Sequence, residues 1–475
     1  MGEAGEQAGS PTLVLQQLFR TERQAPVSTS VDGLVSGLST SSLITQLMQV
    51  EAAPQTRLKT KVSTAETAVS SYQSVNSKLK AIKTAAEDIG KLATWRAVSP
   101  KSSSATVTAT STGGTNTASG TTIFNVGSLA SNQISTAKVA KDGDITSAST
   151  VELTVGGVAK TVTLGEDKTA QGVADSINAA GIGVKAVLVT TGGNENILQL
   201  SGTKTGAEAS FSVDSGLESL NLVEVAQAKD ARLDIGGGDG VDGGYSVRSS
   251  TNTFTTLMPG VSITVSKMEN DVTVTADSDV SGMAAKMQAL VDAVNGTLTE
   301  VASQTKYDAT TKKGSPLTGD FMVRNMSQAF LSKISLGLTY DNPVYDETTN
   351  PGVDKTLSTT LAKLGVELDR SGQLTFNSNT FKAKYNEDPT QFQAAAIAFG
   401  DQMRALADDQ SRNVTSVITG RNNEIDSLNL QIENWDIRLA ARKSSLQKQY
   451  SDLEVSLGKL KEQSNWLAGQ LAGLG

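Results

Sequence analysis

Apolar residues recur along this chain with two different periods, and the switch between them divides it into three stretches. From Ser39 to Leu92 the residues are helix formers, broken once by Pro54. Leu43, Leu47 and Val50 form one face before the proline. After it, Leu58, Val62, Ala65, Val69 and Tyr72 recur at steps of four and three, the spacing of a helical seam. Continuing that register reaches Asn76, while Val75, Leu79, Ile82, Ala86 and Ile89 carry a shifted stripe. The pattern predicts a coiled-coil type of seam with a polar register position or a phase slip near residue 76. At the other end Ile425, Leu428, Ile432, Trp435, Leu439, Leu446, Leu453, Leu460, Leu467, Leu471 and Leu474 keep a three-four spacing, thinned by Arg442 and Gln449. A stripe of about 50 residues, about 75 Å of helix, needs a partner helix. Either the two ends pair as helices of one domain, or pairing within the chain continues as a seam between chains; stripes that run to both chain ends favour the second.

The middle is built differently. From Val98 to Asp279 the chain is rich in Ser, Thr, Gly and Val and alternates with period two, as in Ile123-Phe124-Asn125-Val126, Val151 to Val155, Val261 to Val265 and Val272-Thr273-Val274. These are antiparallel strands with one wet face, expected to be joined as hairpins at Gly156-Gly157 and at Glu269-Asn270-Asp271. One amphipathic helix, Thr169 to Ala180 through Val173 and Ile177, interrupts them and ends at Gly181, a suitable C-cap. Beyond Asp279 the helical period returns in Met283, Met287, Leu290, Val294, Leu298 and Val301, then near Asp320 to Ile334 through Met322, Met326 and Phe330. Gly365 to Phe376 reads as strand, turn, strand around Arg370-Ser371-Gly372. The outline is α+β: a helical coiled-coil leg built from both chain termini, with nested β-rich antiparallel head domains inserted between them.

Composition narrows the chemistry. The 475 residues include 41 Lys plus Arg, 49 Asp plus Glu, 4% aromatics, no histidine and no cysteine. Thiolate nucleophiles, disulfides, cysteine-held zinc, the Ser-His-Asp triad and imidazole ligands are therefore excluded. A net charge of −8 suits neither nucleic acid nor anionic lipid. No apolar run approaches the roughly 20 residues of a membrane span, and Glu3 and Glu6 stand where a cleaved secretory signal would be basic.

Each candidate for chemistry has a plainer structural account. Gly236 to Gly243 holds one frame of a calcium nonapeptide, which works only in stacked copies, so a loop between Ile235 and Tyr245 is expected. Asp369-Arg370-Ser371-Gly372 has its glycine two places too early for an EF-hand and reads as a turn. Gly181-Ile182-Gly183 follows a helix and lacks the third glycine of a dinucleotide loop. No spacing selects a carboxylate pair for glycoside hydrolysis, and aromatic platforms are scarce. Trp95, Trp435 and Trp466 all lie on terminal helical segments, where they fit packing anchors. The chain reads as a non-enzyme without metal or cofactor.

Val31-Asp32-Gly33-Leu34-Val35-Ser36-Gly37-Leu38 followed by Leu43 to Pro54 resembles the N-terminal signature of the flagellar filament cap, or hook-associated protein 2, family. The family's usual Gly-Leu-Asp is here Gly37-Leu38-Ser39, and serine still caps a helix. Ile432 to Trp435, Arg438-Leu439, Gln449 to Leu453 and Ser464 to Leu467 look like its closing helix. Thr169 to Val184 resembles the motif inserted in flagellins and hook-associated proteins; Ser250 to Phe254 with Pro259-Gly260-Val261, and Lys306-Tyr307-Asp308 with Pro316 to Asp320, match cap patterns in the same order. Residues 1–26 have no counterpart and are expected to be either an extension without fixed structure or the result of an upstream start assignment, with Val27 near the family's usual beginning.

The resemblance implies an extracellular homo-oligomeric ring, with five subunits the expected number, at the flagellum tip. It would retain exported flagellin and promote its folding and polymerisation. Flagellin, a flagellar export chaperone and hook-associated junction proteins are the implied partners, with no nucleic acid and no membrane insertion. Export would use the flagellar type III pathway without a cleaved signal, and a cysteine-free chain refolding outside avoids wrong disulfides. The alternatives are another axial protein (a hook-filament junction protein or flagellin) or a tip adhesin binding surface glycans. The expected domains are 27–57 with 436–475 as terminal segments mobile in the monomer, 58–97 with 280–435 as leg, 98–142 with 226–279 as head, and 143–225 as a second, inserted head. Oligomer or filament contacts are expected at Leu34, Leu38, Leu43, Leu47, Trp435, Trp466, Leu467, Leu471 and Leu474.

Overall fold

The computed structural model describes residues 39–114, 117, 119–192 and 194–472; the expected extension 1–26 lies outside them. Two compact units divide the chain, one of residues up to Ser70 together with those from Val417, the other Ser71–Ser416. The described α-helices are α1 (Thr40–Glu51), α2 (Ala53–Gly90), α3 (Leu92–Trp95), α4 (Ala170–Ala180), α5 (Val280–Thr305), α6 (Phe321–Ser335), α7 (Ser378–Glu387) and α8 (Pro389–Ala472). With the antiparallel sheets between them they make an α+β fold. No described helix is long and apolar enough to cross a membrane.

The break at Pro54 takes the form of a single turn residue, Ala52, between α1 and α2. Proline then sits in the first turn of α2, where its missing N–H has no helical acceptor to lose. Within the Ser71–Ser416 unit, α2 buries Tyr72, Val75, Leu79, Ile82, Ala86 and Ile89, and Asn76 is buried with them. The seam therefore widens at residue 76, and the polar position stays inside it. Antiparallel to α2 runs the first part of α8, with Lys83 paired to Asp408 at 2.8 Å. Gly400 approaches α2 so closely that a Cβ there would lie 2.9 Å from the Ala86 carbonyl oxygen. The sequence stripe beginning at Ile425 missed these earlier turns of α8. Phe392, Ala395, Ala396, Phe399 and Met403 are buried there, but a dense apolar run has no clear period.

Every seam residue expected on α5 is buried. The Asp279 side chain caps this helix by accepting from the Gly282 amide at 2.8 Å. Trp95 fills the end of α2, donating through Nε1 to the Ile89 carbonyl at 2.7 Å. Phe381, Tyr385 and Phe392 surround its ring, with centroids 6.2 to 6.4 Å away. Gly365 to Phe376 forms the expected two-stranded unit, Val366–Leu368 with Leu374–Phe376.

The β-rich stretch holds two cores. In the first, a five-stranded sheet ordered Val98–Ser102, Val272–Ser278, Gly120–Ser128, Ala231–Ile235, Tyr245–Ser249 accompanies a three-stranded one of Thr253–Met258, Val261–Val265 and Val107–Ser111. Between them Phe124, Leu233, Phe254, Ile263 and Val274 are buried. Glu269-Asn270-Asp271 is not a hairpin turn, because the strands before and after it belong to different sheets. It is a crossover, held by Asn125 Oδ1 accepting the Asp271 amide at 2.7 Å and by Ser104 Oγ donating to Glu269 at 2.6 Å. Period-two alternation marks the strands and leaves their partners open.

The second core joins a four-stranded sheet (Val223–Ala226, Ile134–Ala140, Glu195–Gly202, Val184–Thr190) to a three-stranded one (Val158–Thr163, Thr150–Val155, Phe211–Ser215). Helix α4 adds Val173 and Ile177 to Val151, Leu153, Leu198 and Leu200. Thr169 caps α4 and Gly181 ends it in the left-handed conformation, φ 60°. Gly156 and Gly157, φ 57° and 75°, make the expected tight hairpin. Between the two cores the chain passes through one neck, where Ser131 and Lys229 exchange backbone bonds of 3.0 and 3.1 Å.

Asp88 bonds Lys286 at 2.6 Å and Lys91 at 2.7 Å. Both ammonium groups, Lys286 first, hold its carboxyl below the ordinary value. A folded value below the unfolded one gives stability that is complete above about pH 4 and drains away as pH falls through the folded value. Asp88→Asn is expected to lower stability at pH 7 by about 1 kcal/mol or less, with the gap to the parent closing toward pH 3 in denaturant titrations. Leu79→Ala, which opens a fully buried site, is expected to cost about 2–5 kcal/mol in the same measurement at pH 7.

Candidate functional site

In the terminal unit α1 and the start of α2 run antiparallel to α8. Gln55, buried, donates through Nε2 to Asp436 Oδ1 and to the Ile432 carbonyl, and Arg442 meets Glu51 at 3.4 Å. Arg442, which thinned the apolar stripe in sequence, thus serves as a cross-helix contact. Leu428 and Leu446 are buried, and Ile425, Ile432, Trp435 and Leu439 are half-buried. The Arg438 guanidinium lies 5.7 Å from the centroid of the Trp435 ring, within cation–π range.

Past Leu446 the cover thins: Tyr450, Glu454 and Leu457 are still half-buried, and every described residue from Lys459 onward is exposed. Leu453, Leu460, Leu467 and Leu471, spaced by seven, seven and four, stay on one side of α8, and all are exposed, Leu460 by 61% and Leu471 by 65%. Trp466 is 65% exposed, about 100° around the helix from Leu467. The packing-anchor expectation therefore holds for Trp95 and fails for Trp466 within one copy of the chain. On α1, Thr40 and Ile44 are buried, whereas Leu43, Leu47 and Val50 form one exposed face.

Of the nine expected contact residues, Leu34, Leu38 and Leu474 lie outside the described residues. Leu43 and Leu47 share the exposed face of α1; Trp466, Leu467 and Leu471 crowd the last turns of α8. Trp435 stands apart, half-buried in the paired part of the helix. Leu453 and Leu460 belong with this surface, and their seven-residue spacing already marked them in sequence.

Nothing comparable is offered for chemistry. Among the described residues no group of three or more His, Cys, Asp or Glu could hold a metal. In the glycine-rich loop Asp239 is engaged by the Ser246 amide at 2.9 Å and by Arg248 at 3.0 Å. In the later turn Asp369 accepts the Ser371 and Gln373 amides at 2.8 and 2.9 Å. Both carboxylates hold turns.

The family profile for the flagellar hook-associated protein 2 N-terminus matches residues 36–133, and that for its C-terminus matches residues 228–462. The chain belongs to the flagellar hook-associated protein 2 family. Flagellar hook-associated protein 2 of Campylobacter jejuni is 27% identical over 312 residues, 56% of this chain and 48% of that protein, so the chain spans about half of that relative's length. The Escherichia coli protein is 23% identical over 478 residues, 92% of this chain and 97% of that one. Among solved structures, the D1-D2-D3 domains of the flagellar cap protein from Escherichia coli superpose with a TM-score of 0.57 at 21% identity, covering 74% of this chain and 99% of that one. That likeness speaks to fold. Both profiles include stretches of the terminal helices, so the uncovered face of α8 up to residue 462 lies within the family's own sequence pattern.

The buried and uncovered leucines of α8 are expected to behave differently when changed. Leu460→Gln with Leu467→Gln should move the terminal unit's stability by less than about 0.5 kcal/mol. Leu446→Ala should cost about 2–3 kcal/mol, both read by circular dichroism in denaturant.

Proposed function

We propose that this chain caps the growing tip of a bacterial flagellar filament as a homo-oligomeric ring, five subunits being the expected number. The ring retains flagellin arriving from the channel and promotes its folding and polymerisation. One observation carries the reading: in a chain of the flagellar hook-associated protein 2 family, a leucine face from Leu453 to Leu471 is exposed and has no partner among the described residues. Burying each such side chain is worth about 1.5–3 kcal/mol. Ordering two long segments against a neighbour opposes that gain, which leaves contacts firm enough to hold and weak enough to release as each flagellin inserts.

The terminal segments, 27–57 with 436–475, grip the filament end through Leu34, Leu38, Leu43, Leu47, Trp435, Trp466, Leu467, Leu471 and Leu474, joined by Leu453 and Leu460. Residues 58–97 with 280–435 form the leg. Residues 98–142 with 226–279, and the inserted 143–225, form the heads of the plate. The protein acts outside the cell after export by the flagellar type III pathway without a cleaved signal, handled beforehand by a chaperone and following the hook-associated junction proteins in assembly. Its work is mechanical and needs no cofactor.

Removing residues 466–475 is expected to leave a folded, exported protein, measurable by circular dichroism and immunoblot, while flagellin monomers leak into the medium. Normal filaments from that strain would overturn the proposal. Immunogold labelling of the full chain is expected at filament tips; label at the hook would assign it to the junction instead.

A further inference from the structure

Three side chains on one turn of α2 bond outward to three different elements. The Tyr72 hydroxyl donates to Asp320 Oδ2, and Oδ1 of the same carboxylate caps α6 by accepting the Val323 amide at 3.0 Å. Ser74 Oγ donates at 2.6 Å to Glu300 Oε1 on α5, which also accepts Gln304 Nε2 at 2.8 Å. Asn76 Oδ1 accepts Ser411 Oγ on α8 at 2.6 Å, and its Nδ2 donates to Thr415 Oγ1 at 3.4 Å. The Thr415 hydroxyl turns back to donate to the Ser411 carbonyl at 2.8 Å. From Tyr72 to Asn76 the helix rises only about 6 Å, so the three bonds form one level.

Two features set this level apart. Tyr72 and Asn76 are 3% and 9% exposed, and a buried polar group is costly to leave unpaired. The level also stands at the margin of the Ser71–Ser416 unit, within the first six residues on α2 and the last six on α8. Inward of it the seam is apolar through Leu79, Ile82, Ala86 and Ile89. Such layers yield one after another when a helix frays; a level that binds α2 to α5, α6 and α8 together must part in several places at once.

We propose that Tyr72, Ser74 and Asn76 form a hydrogen-bonded collar that stops loss of helix in residues before 71 and after 416 from spreading into the Ser71–Ser416 unit. The collar is a boundary built into a continuous helix. It needs no assumption about what the terminal segments bind, so it stands or falls separately from the cap role.

Hydrogen exchange followed by mass spectrometry on the full-length protein tests it. Peptides from residues 78–89 and 399–410 are expected to exchange at least about 100-fold more slowly than those from 56–68 and 420–432, with the step at 70–77. In Tyr72→Phe/Ser74→Ala/Asn76→Ala, protection of 74–81 should fall at least about 10-fold while that of 84–89 and of α5 stays within about 3-fold. Absence of a step at 70–77 overturns the proposal, as does a step unmoved by the triple variant. An equal loss throughout 84–89 and α5 also overturns it, since the three residues would then add only to overall stability. If the triple variant does not fold, Tyr72→Phe, which keeps the ring, is judged on the same peptides with an expected fall of at least about 3-fold in 70–76.

Discussion

Two helical segments more than three hundred residues apart must find each other before the helical core of the Ser71–Ser416 unit exists. Asn76 meets Ser411 across 335 positions, and Lys83 meets Asp408 along the same antiparallel register. The entropy of closing so long a loop grows only with the logarithm of its length, so a large β-rich stretch between the helices adds little to that cost. The kinetic burden is heavier, because α2 reaches the end of its own synthesis long before its partner appears, and non-local contacts are slow to form. Local features lighten it: α4 with its two caps and the Gly156-Gly157 hairpin need only neighbouring residues.

Availability of partners, more than hydrophobicity, separates the two ends of α8. Phe399, Met403, Ala407 and Val414 are buried on the same helix that leaves Leu453, Leu460, Leu467 and Leu471 in water. Leucine is no less apolar than methionine or alanine, so the exposed face is unsatisfied, and its regular spacing makes it complementary to another helix. Polar groups are rationed in a matching way. Gln55, Asn76 and Arg442 sit on or beside the seam, and each meets a side chain from the opposite helix, which favours one register over its neighbours at some cost in stability.

How much of this was legible in the sequence follows from the range of the interactions involved. The α5 stripe, the caps of α4, the strand-turn-strand at Gly365 to Phe376 and the polar break at Asn76 could all be read, because each is encoded within a few residues. The crossover at Glu269-Asn270-Asp271 was mistaken for a hairpin because strand pairing is decided by residues such as Asn125, far away in sequence. The cluster around Trp95 was invisible, since Phe381, Tyr385 and Phe392 show no shared period with it. For the candidate surface, sequence supplied the leucines of α8 and their spacing. It could not say where cover stops, because that depends on how far the partner helix extends.

The neck at Ser131 and Lys229 bears on how such a chain can vary. Residues 133 to 226 enter and leave through one pair of bonded residues, with Ser131 Oγ reaching the Gln227 carbonyl at 2.7 Å as a further stitch. Thr205 Oγ1, donating to the Ser250 carbonyl at 2.6 Å, and Asp230 Oδ1, accepting the Ala207 amide at 2.8 Å, add to the same crossing. A change of length within residues 133 to 226 is therefore felt beneath only through the few bonds at this crossing, and the pairing of Gly120–Ser128 with Ala231–Ile235 has its own register.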